Sequence, residues 1–167
     1  MKISDQQLQL GVVEARIEIP YQSHIKYEWD EKRNVAVVDR ILFSSVHYPG
    51  NYGYIPGTLA GDGDALDILV LNETPLMPGC LIKCRIIGCL LTHDEKGQDE
   101  KLLAVPVDSV DPSCKSIMEY TDLGDYKLQK IRHFFEIYKK LEPGKKVEVD
   151  DFIGRTRTIE ILLKSLA

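Results

Sequence analysis

The stretch GDGDALDILV, residues 61–70, places three carboxylates, Asp62, Asp64 and Asp67, directly before an apolar run. In an extended chain Asp62 and Asp64 point one way and Asp67 the other, so convergence of all three needs a bend. Gly61 and Gly63 supply the freedom for one. Carboxylates brought that close repel one another, and a divalent cation is the simplest offset. All-oxygen ligands favour hard ions such as Mg²⁺, Mn²⁺ or Ca²⁺ over zinc. An EF-hand loop starting at Asp62 would need a ligand at its fifth position and glycine at its sixth, where this chain has Leu66 and Asp67. A solvated acidic turn that binds nothing is the alternative the motif alone leaves open.

Further charges gather elsewhere in the chain. Asp94 and Asp99 lie in THDEKGQDE, with Lys101 just beyond. Glu18, Lys26, Glu28 and Arg40 fall on the polar sides of early alternating segments. Each taken singly is a surface charge; together they give carboxylates for metals and cations for an anion. Lys139 follows Phe135 by four positions on the side of an apolar helical stripe, next to Tyr138. Its ammonium must snorkel outward from packed surface, although a lysine near a helix C-terminus is favoured by the dipole in any case.

The elements that must hold these groups follow from hydrophobic period. Residues 12–19 alternate strictly, Val13, Ala15, Ile17 and Ile19 against Glu14, Arg16 and Glu18, which predicts a half-buried strand ended by Pro20. Residues 24–29 alternate again, 30–34 form a polar hairpin turn, and 35–43 make a third, β-branched strand. YPGNYGYIPG, with two prolines, three glycines and three tyrosines, predicts an ordered loop. Strands are expected over 66–71, 80–91 and 102–107, the second of them central, with 92–100 a charged turn. From 122 to 141 the apolar residues Leu128, Ile131, Phe134, Phe135, Tyr138 and Leu141 recur at helical spacing, and Pro143-Gly144 stops the run. A short strand over 146–152 and a second helix over 158–166 complete the chain. Strands first and helices later predict an α+β fold built on an antiparallel sheet or barrel.

Bulk properties set limits. The 167 residues fit one domain, 1–167, with a sizeable core, and no internal repeat or linker divides it. With 44% hydrophobic and 28% charged residues the chain is of ordinary globular composition. A net charge of −5 disfavours general binding of nucleic acid. The four cysteines form no Cys-x-x-Cys pair and read as free thiols in a reducing compartment. The N-terminus has no apolar signal-peptide core and no segment approaches a membrane span, so a soluble, cytoplasmic protein is expected.

Six blocks, EIPYQSHIKYEWD, VDRIL, YPGNYGYIPGTL, GDGDALDILVL, DEKGQDEKLLAVP and HFFEIYKKLEPGK, resemble in order and spacing the soluble family I inorganic pyrophosphatases of the short bacterial kind. The resemblance runs from about residue 18 to 149. It implies a five-stranded, OB-like β-barrel flanked by helices, and Mg²⁺-dependent hydrolysis of pyrophosphate to two orthophosphates. It implies metal binding by Asp62, Asp67, Asp94 and Asp99, with Asp64 as the base near the attacking water. Asp67 is the candidate bridge between two ions. It further implies phosphate binding by Lys26, Arg40, Tyr52, Lys101, Tyr138 and Lys139, and active-site positions for Glu18, Glu28 and Tyr48. Several Mg²⁺ ions per subunit, replaceable by Mn²⁺, and a homohexamer are the expected cofactors and assembly. His47 departs from the family's apolar residue at that place, and DDFIGRTRTIEILLKSLA matches poorly. A non-catalytic OB-type module that stacks single-stranded nucleic acid on Tyr48, Tyr52 and Tyr54 is the competing reading; the acidic cluster and net charge oppose it.

Overall fold

A computed structural model describes residues 3–166. A short helix α1 (Asp5–Gln9), which the sequence reading did not include, precedes the sheet. Ser4 and Gln7 form a reciprocal capping box at its start. The strand β1 (Val12–Ile19) appears where the alternation placed it, with Val13, Ala15, Ile17 and Ile19 buried. β2 (Ile25–Asp30) and β3 (Val35–Ile41) make an antiparallel hairpin that forms a sheet of its own.

Two stretches differ from expectation. YPGNYGYIPG is not all loop: its centre is β4 (Asn51–Tyr54), paired with β1 on one side and β5 (Asp67–Val70) on the other. The glycine in it is what allows this, because a Cβ on Gly53 would overlap the carbonyl of Arg16 on the adjoining strand. Likewise 92–100 is not a broad turn. β6 (Leu81–Asp94) and β7 (Gly97–Pro106) stay paired to Asp94 opposite Gly97, so only Glu95 and Lys96 turn the chain. Gly97, at φ +115°, takes the conformation that other residues avoid there. The hydroxyl of Thr92 donates to the carbonyl of Asp99 at 2.7 Å, tying the charged end of the hairpin together.

Pairing in the order β1-β4-β5-β7-β6, with β6 returning to β1, closes a five-stranded ring. This is the OB-like architecture expected, with one departure from all-antiparallel pairing: β5 and β7 run parallel. The long strand β6 is central, contacting β1, β7 and β8 (Val147–Gly154). One face of the ring packs Val13, Ile17, Ile68, Ile86 and Leu102 with Leu162 of α3 (Arg155–Ser165). The other packs Ile19, Tyr48, Tyr52, Leu69 and Leu103 against Ile131, Phe134 and Phe135 of α2 (Asp125–Ile137).

α2 is shorter than the apolar period suggests. Gly124, at φ +84°, separates it from a 3₁₀ turn at Tyr120–Leu123. At its other end the hydroxyl of Ser44 donates to the carbonyl of Ile137 at 2.7 Å, and the chain leaves the helical path well before Pro143. Leu141, expected on the buried stripe, is 67% exposed in consequence. Ending early is what frees Tyr138 and Lys139 to turn toward the mouth of the ring.

Candidate active site

A cavity of about 500 Å³ opens at one end of the ring. Its lining joins the β1–β2 side (Glu18, Lys26, Glu28), the β4 region (Tyr48, Tyr52), the turn after β4 (Asp62, Asp64), and Asp67 at the start of β5. The β6–β7 hairpin contributes Asp94, Asp99 and Lys101, and the segment after α2 contributes Tyr138 and Lys139. Thus thirteen groups singled out from the sequence by type or resemblance, distant along the chain, share one space. Arg40 is the exception: it does not line the cavity but pairs with Asp39 and, at 3.0 Å, with Glu142.

The acidic turn is built differently from the simple two-glycine bend. Gly63 takes φ +88°, whereas Gly61 needs no such conformation. The amide of Asp64 donates to Asp62 Oδ1 at 3.1 Å, and the amide of Ala60 to the carbonyl of Asp64 at 2.7 Å. Asp67 lies beyond this turn, in register with Lys101 on the parallel neighbour. The three aspartates therefore face one cavity from two supports rather than closing on one another.

The buried centre is a knot around Lys101, which is 4% exposed. Its ammonium donates to Asp67 Oδ2 at 2.7 Å, Asp99 Oδ2 at 2.8 Å and the hydroxyl of Tyr52 at 2.8 Å. An ammonium has three donors, and all are used. Burial alone would pull this group down, but Asp67 foremost, with Asp99, holds it well above its ordinary value. Asp99 is pushed up to about 6 by burial, with Lys101 opposing and Asp67 adding. Glu18 is pushed up to about 7 by burial, although it accepts the amide of Trp29 at 2.7 Å.

Around the knot stand neutral donors and cations. Burial raises Tyr48 and Tyr52 well above the ordinary phenol and Tyr138 to about 12, so all three are neutral hydroxyls at pH 7. Lys139 is lowered by burial and by the charges of Lys101 and Arg40. Lys26 pairs with Glu28 at 3.0 Å and Asp39 at 3.5 Å. Sequence reasoning missed Glu31 and Lys96 and named Tyr54 only for the stacking alternative; all three also line the cavity. Tyr54 could have been found: on a strand it shares a side with Tyr52. Its hydroxyl bonds Glu31. His47, the residue that departs from the family pattern, is exposed beside His24 and does not line the cavity.

Whether these residues suit a divalent cation can be judged from the donors. Eight lining carboxylates, Glu18, Glu28, Glu31, Asp62, Asp64, Asp67, Asp94 and Asp99, face four lysines, Lys26, Lys96, Lys101 and Lys139. This oxygen-rich, net-acidic set fits hard ions. Among the described residues no three such side chains already converge on one point; Lys101 stands between Asp67 and Asp99 instead.

Ring, helix and cavity define a class: an OB-like α+β domain whose mouth is equipped for an anion together with hard cations. Comparison with known proteins gives the family. A family profile described as inorganic pyrophosphatase matches residues 15–167. The inorganic pyrophosphatase of Campylobacter jejuni is 53% identical over 154 residues, 92% of this chain and 90% of that protein. That of Sulfolobus acidocaldarius is 45% identical over 170 residues, 100% of this chain and 98% of that protein. The solved structure of the Helicobacter pylori inorganic pyrophosphatase superposes with a TM-score of 0.93 at 40% identity, covering 99% of this chain and 96% of that one. The chain belongs to the inorganic pyrophosphatase family.

Proposed function

We propose that this protein hydrolyses pyrophosphate to two orthophosphates in the cavity at the mouth of the ring, with Mg²⁺ as cofactor. The observation that carries the reading is the gathering of carboxylates, lysines and neutral tyrosine hydroxyls into one 500 Å³ space in a chain of this family. Phosphoryl transfer asks mainly for positioning and charge stabilisation, which is what such a lining supplies. Asp62, Asp67, Asp94 and Asp99 would hold the ions. Bound Mg²⁺ supplies neutralisation of the substrate's charge and acidifies water.

The chain's own groups do the rest. Lys26 and Lys139 offset phosphate charge as point charges, and Arg40, outside the lining but close enough for its charge to act on Tyr48, Tyr138 and Lys139, adds its guanidinium from behind them. Tyr52 and Tyr138 donate hydrogen bonds without adding charge. Asp64, exposed at the rim, accepts the proton of the attacking water. Lys101 has no donor to spare while it bonds Asp67, Asp99 and Tyr52, so its service to phosphate requires release of one of them. Glu18, Glu28 and Tyr48 shape the wall around these groups.

The deciding assay is phosphate release from pyrophosphate by purified protein with Mg²⁺, Mn²⁺ and Ca²⁺ in parallel. Turnover with Mg²⁺ is expected; no release by folded protein would overturn the proposal. The same reading carries a homohexamer, tested by sedimentation, and a reducing, cytoplasmic setting in keeping with four free thiols. Among the described residues no helix is long and apolar enough to cross a membrane.

A further inference from the structure

Glu142 lies just beyond the phosphate-binding segment and has no part in the site described above. It is 8% exposed, and its Oε2 is buried without a hydrogen-bond partner. Its Oε1 stands 3.0 Å from Arg40 Nε, a contact of charges, since that Nε makes no hydrogen bond. A buried carboxylate with an unpaired oxygen is a costly thing to keep for packing alone. Rules of this kind are broken mainly at functional sites.

The surroundings say what it does there. Asp39 takes Arg40 Nη1 and Glu142 faces Nε, so Nη2 is the nitrogen of the fork without a partner among the described residues. Arg40 comes from β3, while Glu142 is tied to the segment after α2 by its own amide, which donates to the carbonyl of Lys139 at 3.0 Å. Glu142 therefore links two pieces of chain that bring like charges to the same region. Its charge offsets Arg40 from the side of the Lys139 segment, where the two cations act on one another.

We infer that Glu142 is a positioning residue for Arg40: it fixes the guanidinium against the Tyr138–Lys139 segment so that the free Nη2 edge meets a phosphate of pyrophosphate. The inference rests on the proposed hydrolysis for its substrate, but its test does not depend on turnover. Glu142→Gln keeps the shape and removes the charge, and Glu142→Asp keeps the charge on a shorter stem. Pyrophosphate binding is measured by calorimetry, and KM and kcat in parallel, for these variants in wild-type and Arg40→Lys backgrounds.

Glu142→Gln should weaken pyrophosphate binding and raise KM by about tenfold, with a smaller change in kcat, since misplacing a binding group loses affinity and orientation together. Glu142→Asp should restore part of the loss. In the Arg40→Lys background the same change should add less than about twofold, because residues that act through one another are not additive. An equal loss in both backgrounds, or a loss that tracks a fall in melting temperature, would overturn the role. If Glu142→Gln does not fold, Glu142→Asp carries the same cycle. A wild-type chain that binds pyrophosphate but releases no phosphate overturns the hydrolase reading alone, and the binding cycle still decides this one.

Discussion

Asp62 and Asp64 lie on a turn held by a few backbone bonds, Asp64 exposed and Asp62 half-buried. Asp67 and Asp99 sit on paired strands around a buried ammonium 2.7 and 2.8 Å away. All four carboxylates line one cavity, yet their charges are balanced in different ways. The strand pair is balanced in part from within, one ammonium against two carboxylates, and is assembled when the chain has folded. Among the described residues no lysine bonds either side chain of the turn pair, so its charge is left for a ligand. Stability and function should therefore come apart between the two regions.

Lys101→Met is the severest test of that difference. It should lower turnover by about two to three orders of magnitude, as loss of a preorganised charge at a phosphoryl site does. It should also lower unfolding free energy in urea by roughly 2–4 kcal/mol, because a buried ion pair loses one partner. Unchanged stability would mean that the knot is not a folded-state requirement. Asp64→Asn should cost turnover about 10²-fold or more, as expected for removal of a general base. Its unfolding free energy should stay within about 0.5 kcal/mol of wild type, the usual range for an exposed position. Matching losses of activity and stability there would erase the distinction between turn and knot. Gly63→Ala should have the smallest effect, about 1–2 kcal/mol from a non-glycine residue at φ +88°, read as a shift of the urea midpoint. No shift would show that the turn can reshape itself freely.

The same two regions divide what could be read from the sequence. The acidic turn was legible because its signal is local: three aspartates and two glycines in one short stretch. Even so, spacing alone suggested mutual convergence, whereas Asp67 is placed by parallel pairing of β5 with β7. The Lys101 knot was not legible as a knot. It brings together Tyr52, Asp67, Asp99 and Lys101 across strands whose partners no local pattern fixes. β4 hid in a run of prolines and glycines for the same reason: its pairing with β1 requires a glycine, and glycine reads as a loop. β1 needed no such knowledge, because one face is buried and the other is not, and strict alternation records that directly. The end of α2 was misplaced because Ser44, far along the chain, closes the helix before Pro143 does.

The most direct test of the central claim, that this cavity hydrolyses pyrophosphate, is phosphate release with saturating Mg²⁺ by wild type and Asp67→Asn side by side. Asp67 belongs to the knot and to the proposed ion site at once. The account predicts turnover by the wild type and a fall of about two to three orders of magnitude in the variant, with the circular dichroism spectrum unchanged. Near-wild-type release by a folded Asp67→Asn chain, or none by the wild type, would contradict it.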